Sequence, residues 1–150
     1  MLIKYALAFV LTVGLASAAM AAGSTSSSKP SKLAVAEKAV KAGNYNRAIE
    51  LLQKVVAAKP GNADAWNYLG FSHRKLKKFG QAMTAYQKAL AIDPQHRGAN
   101  EYLGELYLQT GDLAKAKERL KKLDDVCFFG CEEFDDLKEA IKVYEASHQS

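Results

Sequence analysis

The stretch from residue 63 to residue 96 reads ADAWNYLGFSHRKLKKFGQAMTAYQKALAIDPQH, and its apolar residues recur at helical intervals. Such spacing predicts two amphipathic helices, because side chains three and four positions apart share a helix face. The segment from Lys77 to Gly80 separates the helices, and Asp93-Pro94 ends the second, since proline does not continue a helix. The predicted packing positions are Ala65, Trp66, Leu69 and His73, followed by Ala82, Ala85, Tyr86, Ala89, Leu90 and Ile92.

The same pattern returns when the chain is compared with itself at a shift of 34 residues, with Pro60 returning as Pro94. A repeat of this length indicates one helix-turn-helix unit stacked on copies of itself. Small residues such as Gly70 indicate where the two helices of a unit cross closely. The other aligned sets are Val35, Leu69 and Leu103; Ala36, Gly70 and Gly104; Ala48, Ala82 and Ala116; and Leu52, Tyr86 and Leu120.

These residues resemble the tetratricopeptide repeat. The middle unit carries Trp66-x-x-Leu69-Gly70, Ala82-x-x-x-Tyr86-x-x-Ala89 and Pro94, with His73 where the repeat usually has tyrosine. The third unit has Asn100 in place of the tryptophan and lacks the final proline, and the first unit is degenerate in its first helix. The resemblance implies an all-α, right-handed α-solenoid whose three units lie at about residues 29–62, 63–96 and 97–130.

The C-terminal segment, residues 131–150, is predicted to cap this solenoid. A terminal cap is needed because the last unit otherwise exposes an apolar face. From Glu132 to His148 apolar residues recur at intervals of three and four, which predicts a seventh helix. Those residues are Phe134, Leu137, Ala140, Ile141 and Tyr144.

The N-terminal segment has the pattern of a secretory signal peptide. Lys4 precedes an uncharged apolar run, and Ala19-Met20-Ala21 forms the small-residue cleavage motif, so we expect residues 1–21 to be removed. A retained anchor is the alternative, but the run is shorter than the roughly 20 residues that cross a bilayer. Residues 22–30 are predicted to form a flexible, polar leader. We therefore expect a periplasmic protein with no membrane span after the signal is removed.

The composition is that of an ordinary globular domain, with 49% hydrophobic residues, 25% charged residues and a formal net charge of +5 among 150 residues. Only 2 Cys and 3 Pro exclude cysteine-dense and collagen-like classes. The mild positive charge alone does not indicate nucleic acid binding, and export argues against it. The chain carries no catalytic motif, phosphate-binding loop or metal-binding histidine pattern, so we expect neither an enzyme nor a cofactor nor a metal site.

The resemblance implies that the inner faces of the first helices form a concave groove for a protein or peptide partner. Phe71 stands out, because an aromatic residue there is not needed for stacking and could anchor a partner. The alternative is that Phe71 packs on the leader or a neighbouring helix. The positions expected to face the groove are Asp64, Asn67, Phe71 and Arg74 in the second unit, and Gly98, Glu101, Glu105 and Leu108 in the third.

One binding mode of the family does not fit these residues. Some repeats of this family hold the carboxylate terminus of chaperones in a clamp. That clamp has lysine and asparagine in the first unit and asparagine in the second. This chain has Leu33 and Glu37 at the first two of those positions and Tyr68 at the third. We therefore do not expect it to bind chaperone tails.

Cys127 and Cys131 flank Phe128-Phe129-Gly130 between the third unit and the predicted cap. In an oxidising compartment they are expected to form a structural disulfide. A thiol redox or copper-handling site is the alternative, because a helix N-terminus favours the thiolate and thiolates suit soft metals. The sequence therefore favours an exported adaptor and leaves two alternatives open, namely this cysteine chemistry and weak self-association through the degenerate first helix.

Overall fold

A computed structural model describes residues 30–148, and within that range the chain forms seven α-helices and no β-strand. The expected signal peptide and almost all of the expected leader lie outside the described residues. No helix in the described range is long and apolar enough to span a bilayer. The helices are α1 (Lys32–Lys41), α2 (Tyr45–Ala58), α3 (Ala63–Lys75), α4 (Phe79–Ile92), α5 (Arg97–Gln109), α6 (Leu113–Val126) and α7 (Glu132–Ser147).

The first six helices form three antiparallel pairs, α1 with α2, α3 with α4 and α5 with α6, and each pair packs on the next. This arrangement is the all-α solenoid of three helix-turn-helix units that the sequence predicts. The seventh helix was also expected, and it packs on both α5 and α6. Its side chains Leu137 and Ile141 are buried with Ala116 and Leu123 of α6, so the end of the solenoid is covered.

Most helices begin at a polar residue whose side chain accepts a hydrogen bond from a free backbone N–H group of the first turn. Such caps stabilise a helix end because those N–H groups have no partner within the helix. The caps are Ser31 for α1, Asn44 for α2, Asn62 for α3, His96 for α5 and Asp112 for α6.

The turns inside the units share one backbone conformation. Gly43, Lys77 and Gly111 occupy equivalent positions of the repeat, and all three have positive φ angles of 71°, 58° and 84°. Glycine adopts this left-handed conformation without a Cβ penalty, whereas lysine does not. The second unit therefore makes the same turn as its neighbours at a higher conformational cost.

Asn100 stands where the repeat usually has tryptophan, and it makes one of the hydrogen bonds that Trp66 makes at the equivalent position of the second unit. The Trp66 indole Nε1 donates a hydrogen bond to the Pro60 carbonyl oxygen at 2.8 Å. The Asn100 Nδ2 donates to the Pro94 carbonyl oxygen at 3.2 Å, and the two prolines are also equivalent. Both side chains therefore fasten the start of a unit to the turn that precedes it.

Candidate functional site

The expected groove residues lie on α3 and α5, the first helices of the second and third units, which contact each other. We call the face formed by these two helices the groove. The structure brings Asp64, Asn67, Phe71 and Arg74 of α3 together with Glu101 and Glu105 of α5, as the contacts below show. Leu108 is an exception, because it is half-buried beside the apolar cluster between α6 and α7.

Arg74 and Glu105 join the two helices by an ion pair. The Arg74 Nη2 lies 2.5 Å from the Glu105 Oε2, and the Arg74 side chain is only 6% exposed. The guanidinium carbon also lies 5.6 Å from the ring centre of Phe71 and 5.5 Å from that of Tyr102, which places the charge over two aromatic faces. Arg74 therefore holds α3 and α5 in register and is not a freely exposed positive charge.

Phe71 lies in the middle of what we call the aromatic row, formed by Tyr45, Phe71 and Tyr102. Its ring centre is 6.1 Å from that of Tyr45 at the start of α2 and 5.0 Å from that of Tyr102 on α5. The Lys75 Nζ is 5.1 Å from the same ring. Because Phe71 is half-buried, it packs on neighbouring helices and still presents part of its surface.

A cavity of about 310 Å³ adjoins the aromatic row, between α3, α5 and the start of α7. We call it the acidic pocket. Five of its lining residues carry carboxylates, and none of its lining residues is lysine or arginine. The lining residues are Asp64, Asn67, Tyr68, His96, Gly98, Glu101, Tyr102, Glu132, Glu133 and Asp136.

Glu101 is the most deeply placed of these carboxylates, since the residue is only 6% exposed. Burial and, after it, the nearby charges of Glu105, Asp136 and Glu133 together raise the pKa of Glu101 to about 8, against a smaller opposing effect of Arg74. The pKa of Tyr102 is likewise raised to about 12, chiefly by burial and then by Glu101. Both shifts have the same origin, which is a negative potential in a partly dehydrated space.

Asp64 is held at the rim of the pocket by His96. The His96 Nδ1 accepts a hydrogen bond from the Ala99 backbone N–H at 3.1 Å, so the ring proton lies on Nε2. From there it is donated to the Asp64 Oδ1, 3.1 Å away. One imidazole thus caps α5 and positions a carboxylate of α3.

Arg97 and Glu133 are the remaining charged pair at this rim. The Arg97 Nε lies 3.8 Å from the Glu133 Oε1, and the arginine side chain is 54% exposed. An exposed pair at this distance stabilises little. Arg97 therefore leaves the negative charge of the pocket largely uncompensated.

Cys127 and Cys131 lie outside α3 and α5, where α6 ends and α7 begins. The structure joins them by a disulfide bond, with their Cα atoms 5.6 Å apart. The side chains of Phe128 and Phe129 between them are almost fully exposed. We call residues 127–131 the disulfide loop. No group of three or more His, Cys, Asp or Glu residues in the described range is placed to hold a metal ion.

Sequence reasoning missed several residues of this site. Tyr68 and Tyr102 are equivalent positions of the repeat, 34 residues apart, and their shared aromatic character was the available signal. Glu132, Glu133 and Asp136 lie in the first turns of α7, where acidic residues are ordinarily explained by the helix dipole. Their second role, as a wall of the pocket, depends on α7 packing against α5 and has no sequence signature.

Comparison with protein-family models finds the tetratricopeptide repeat twice, at residues 33–97 and 73–126. Among curated proteins, the chain is 28% identical over 97 residues to the inactive TPR repeat-containing thioredoxin TTL3 of Arabidopsis thaliana. That match covers 64% of this chain and 13% of the relative.

Solved structures of similar fold include SycD and the first TPR of Spaghetti. The type III secretion translocator chaperone SycD of Yersinia enterocolitica has a TM-score of 0.71 at 16% identity, covering 79% of this chain and 84% of SycD. The first TPR of Spaghetti (RPAP3), bound to the HSP90 peptide SRMEEVD, has a TM-score of 0.67 at 21% identity, covering 76% of this chain and 90% of that chain. At these identities the similarity concerns the fold.

Proposed function

Because the chain belongs to the tetratricopeptide repeat family, we propose that it is an exported adaptor that binds a peptide or a partner protein in its concave groove. The observation that carries the proposal is that contacts between the helices hold the groove residues in place. Arg74 and Glu105 lock α3 to α5, and Phe71 is held between Tyr45 and Tyr102. A surface fixed in advance loses little conformational freedom when a partner binds.

Relatives of similar fold support this proposal. The Spaghetti domain is bound to an HSP90 peptide, and SycD has been crystallised in complex with a peptide of the translocator YopD. PcrH, another protein of this fold, has been crystallised in complex with the chaperone-binding region of PopD. The adaptor role proposed here needs no catalytic residue and no cofactor.

The test is a comparison of two phenylalanine variants in an affinity capture from bacterial envelope extract, followed by mass spectrometry. Phe71→Ala removes the central ring of the aromatic row, whereas Phe128→Ala removes an 87% exposed ring of the disulfide loop. We expect a partner that the unaltered chain and Phe128→Ala retain and that Phe71→Ala loses. Equal capture by all three folded proteins would contradict groove binding.

Export to the periplasm is the second part of the proposal. It is supported by the signal-peptide pattern of residues 1–21 and by the pairing of Cys127 with Cys131, since disulfides persist in oxidising compartments. Intact-mass measurement after expression in a Gram-negative host tests both points. We expect a periplasmic chain that begins at Ala22 and does not react with a thiol-alkylating reagent until it is reduced. A full-length chain retained in the cytoplasm would contradict export.

Thiol redox or copper chemistry is a second candidate function, favoured by the position of Cys131 as the N-cap of α7. Its test is titration of the reduced chain with Cu(I), beside a Cys127→Ser and Cys131→Ser double variant. Stoichiometric binding that the double variant loses would favour this candidate. A structural disulfide predicts equal, weak uptake by both proteins and partner capture that does not depend on the cysteines.

A further inference from the structure

The acidic pocket contains one buried hydrogen-bond acceptor that no group in the described part of the chain satisfies. The Asn67 Oδ1 is buried at the pocket, within a residue that is only 5% exposed, and accepts no hydrogen bond from any group in residues 30–148. Most buried polar atoms in folded proteins do have a partner, so an exception calls for an explanation. A donor supplied by a bound molecule is one such explanation.

The residues around Asn67 favour a donor that is positively charged. The Glu101 carboxylate lines the same cavity, with Asp64, Glu132, Glu133 and Asp136 around it. Arg74 does not neutralise them, because Glu105 already pairs with it. A charged group that satisfies several acceptors at once must carry several N–H donors, which is a property of ammonium and guanidinium groups.

The shape of the pocket favours a long side chain over a metal ion. Its volume of about 310 Å³ is at the lower end of the range for small-molecule sites. Tyr68 and Tyr102 supply aromatic walls, against which the aliphatic part and the charge of a lysine or arginine can both pack. The carboxylates do not converge as metal ligands do, since no metal-holding group is present in residues 30–148.

One side of the pocket is kept open by the absence of a side chain. A Cβ atom added to Gly98 would lie 3.1 Å from the Asn67 Nδ2, which is tighter than an ordinary van der Waals contact. Gly98 therefore allows the Asn67 amide to lie between α3 and α5. Any larger residue at position 98 would press on the amide that presents the unsatisfied oxygen.

We propose that the acidic pocket binds one lysine or arginine side chain of the peptide held in the groove, through Asn67, Glu101 and the carboxylates of α7. The proposal rests on the peptide-binding function proposed above and adds the chemical class of the partner. It also separates this chain from the Spaghetti domain, whose bound peptide SRMEEVD carries three acidic residues. Acidic residues of such a peptide would be repelled by the acidic pocket.

The experiment is a selection of peptides from a random-sequence phage library on the folded chain. We expect the selected peptides to share a lysine or arginine at one position. Asp136→Asn should weaken the binding of a selected peptide at least about tenfold, because a charge-assisted contact is lost. Glu139→Gln, an exposed carboxylate change on the same helix, should leave the affinity unchanged.

The pH dependence of binding gives a second readout. Glu101 must lose its proton to pair with a cation, against the opposition of Glu105, Asp136 and Glu133 and with the help of Arg74. Affinity should therefore rise as the pH approaches about 8 and then level off. In Glu101→Gln this rise should disappear. If Glu101→Gln fails to fold, the exposed Asp136→Asn variant still tests the proposal.

The remaining outcomes distinguish a failure of the acidic pocket from a failure of peptide binding. Selected peptides that share no basic residue would overturn the acidic pocket as a cation site and leave groove binding intact. Basic peptides that bind Asp136→Asn as tightly as the unaltered chain would do the same. A library from which the chain selects no peptide would overturn the pocket and the peptide-binding function together.

Discussion

Gly70 and Gly104 occupy equivalent positions of the second and third units, but the side chains that pack against them come from different parts of the chain. A Cβ atom at Gly70 would lie 2.6 Å from ring atoms of Tyr86, which belongs to the same unit. A Cβ atom at Gly104 would lie 2.5 Å from a methyl group of Leu137, which belongs to α7. In the second unit the glycine is therefore covered by a side chain of the unit's own second helix, and in the third unit it is covered by a side chain of the cap helix α7.

This difference explains how the acidic pocket acquires its third wall. The third unit has Leu120 where the second has Tyr86, and the shorter side chain leaves room over Gly104 for a residue of another helix. Leu137 takes that position and holds α7 against α5. Asp136, directly before it, lines the pocket. A packing contact and a binding surface are therefore produced by neighbouring residues.

The largest effect should follow from removing this contact. Leu137 is fully buried, so Leu137→Ala should lower the free energy of unfolding by about 2–5 kcal/mol through lost burial and the cavity that remains. Urea denaturation monitored by circular dichroism measures the loss. Val143→Ala, a 60% exposed position of the same helix, is the control and should cost less than about 0.5 kcal/mol. Similar losses for both would mean that α7 does not close the third unit through Leu137.

The turns between units show a related difference. Pro60 and Pro94 lie in the first two inter-unit turns, and the equivalent position of the third is Phe128, within the disulfide loop. A covalent bond there restrains the chain in place of the proline ring. Replacing Cys127 and Cys131 together by serine should destabilise the fold by about 2 kcal/mol, as expected for so short a closed loop. The difference should vanish when both proteins are measured under reducing conditions; a difference that persists would assign the loss to the serines themselves.

The repeat itself could be predicted from the sequence because its signals are local. Apolar spacing, capping residues and prolines specify each helix with little help from distant residues, and the predicted cap from Glu132 to His148 differs by one residue from the observed α7. Position 77 illustrates the limit, since the sequence marks a turn there but does not show that a lysine adopts the conformation of a glycine.

The binding site could be predicted only in part, because its properties arise from contacts between units. The resemblance to the repeat implies that Arg74 and Glu105 lie on the groove face, but not that they pair with each other. Likewise, the sequence predicts α7 without showing which first helix it approaches. That approach is determined by Gly104 and Leu137, whose contact is outside the periodic pattern, and so the acidic pocket was not foreseen.

Gly70 lies so close to the Tyr86 ring that a side chain at position 70 should be tolerated only if the residue at position 86 is smaller. Gly70→Ala should destabilise by about 1–2 kcal/mol, because the clash with the buried Tyr86 ring exceeds the gain in helix propensity. The first unit has Ala36 and Leu52 at these two positions and buries both, so an alanine fits there when the facing residue is a leucine. Combining Gly70→Ala with Tyr86→Leu should therefore cost less than the two single changes added together. Additive losses in this double-mutant cycle would contradict a direct clash.

The smallest effect should be a gain in stability at the left-handed turn of the second unit. Lys77 has a φ of 58°, whereas Gly43 and Gly111 make the same turn without a Cβ atom. The conformation costs a residue with a Cβ about 1–2 kcal/mol, and part of that is returned by the greater freedom of glycine in the unfolded chain. Lys77→Gly should thus stabilise the fold by up to about 1 kcal/mol. Lys122→Gly, at an exposed position inside α6, removes the same side chain from a helical backbone and should instead destabilise by about 1 kcal/mol. Opposite signs for two identical substitutions would locate the gain in the backbone of the turn; a loss at both positions would show that Lys77 adopts its conformation without strain.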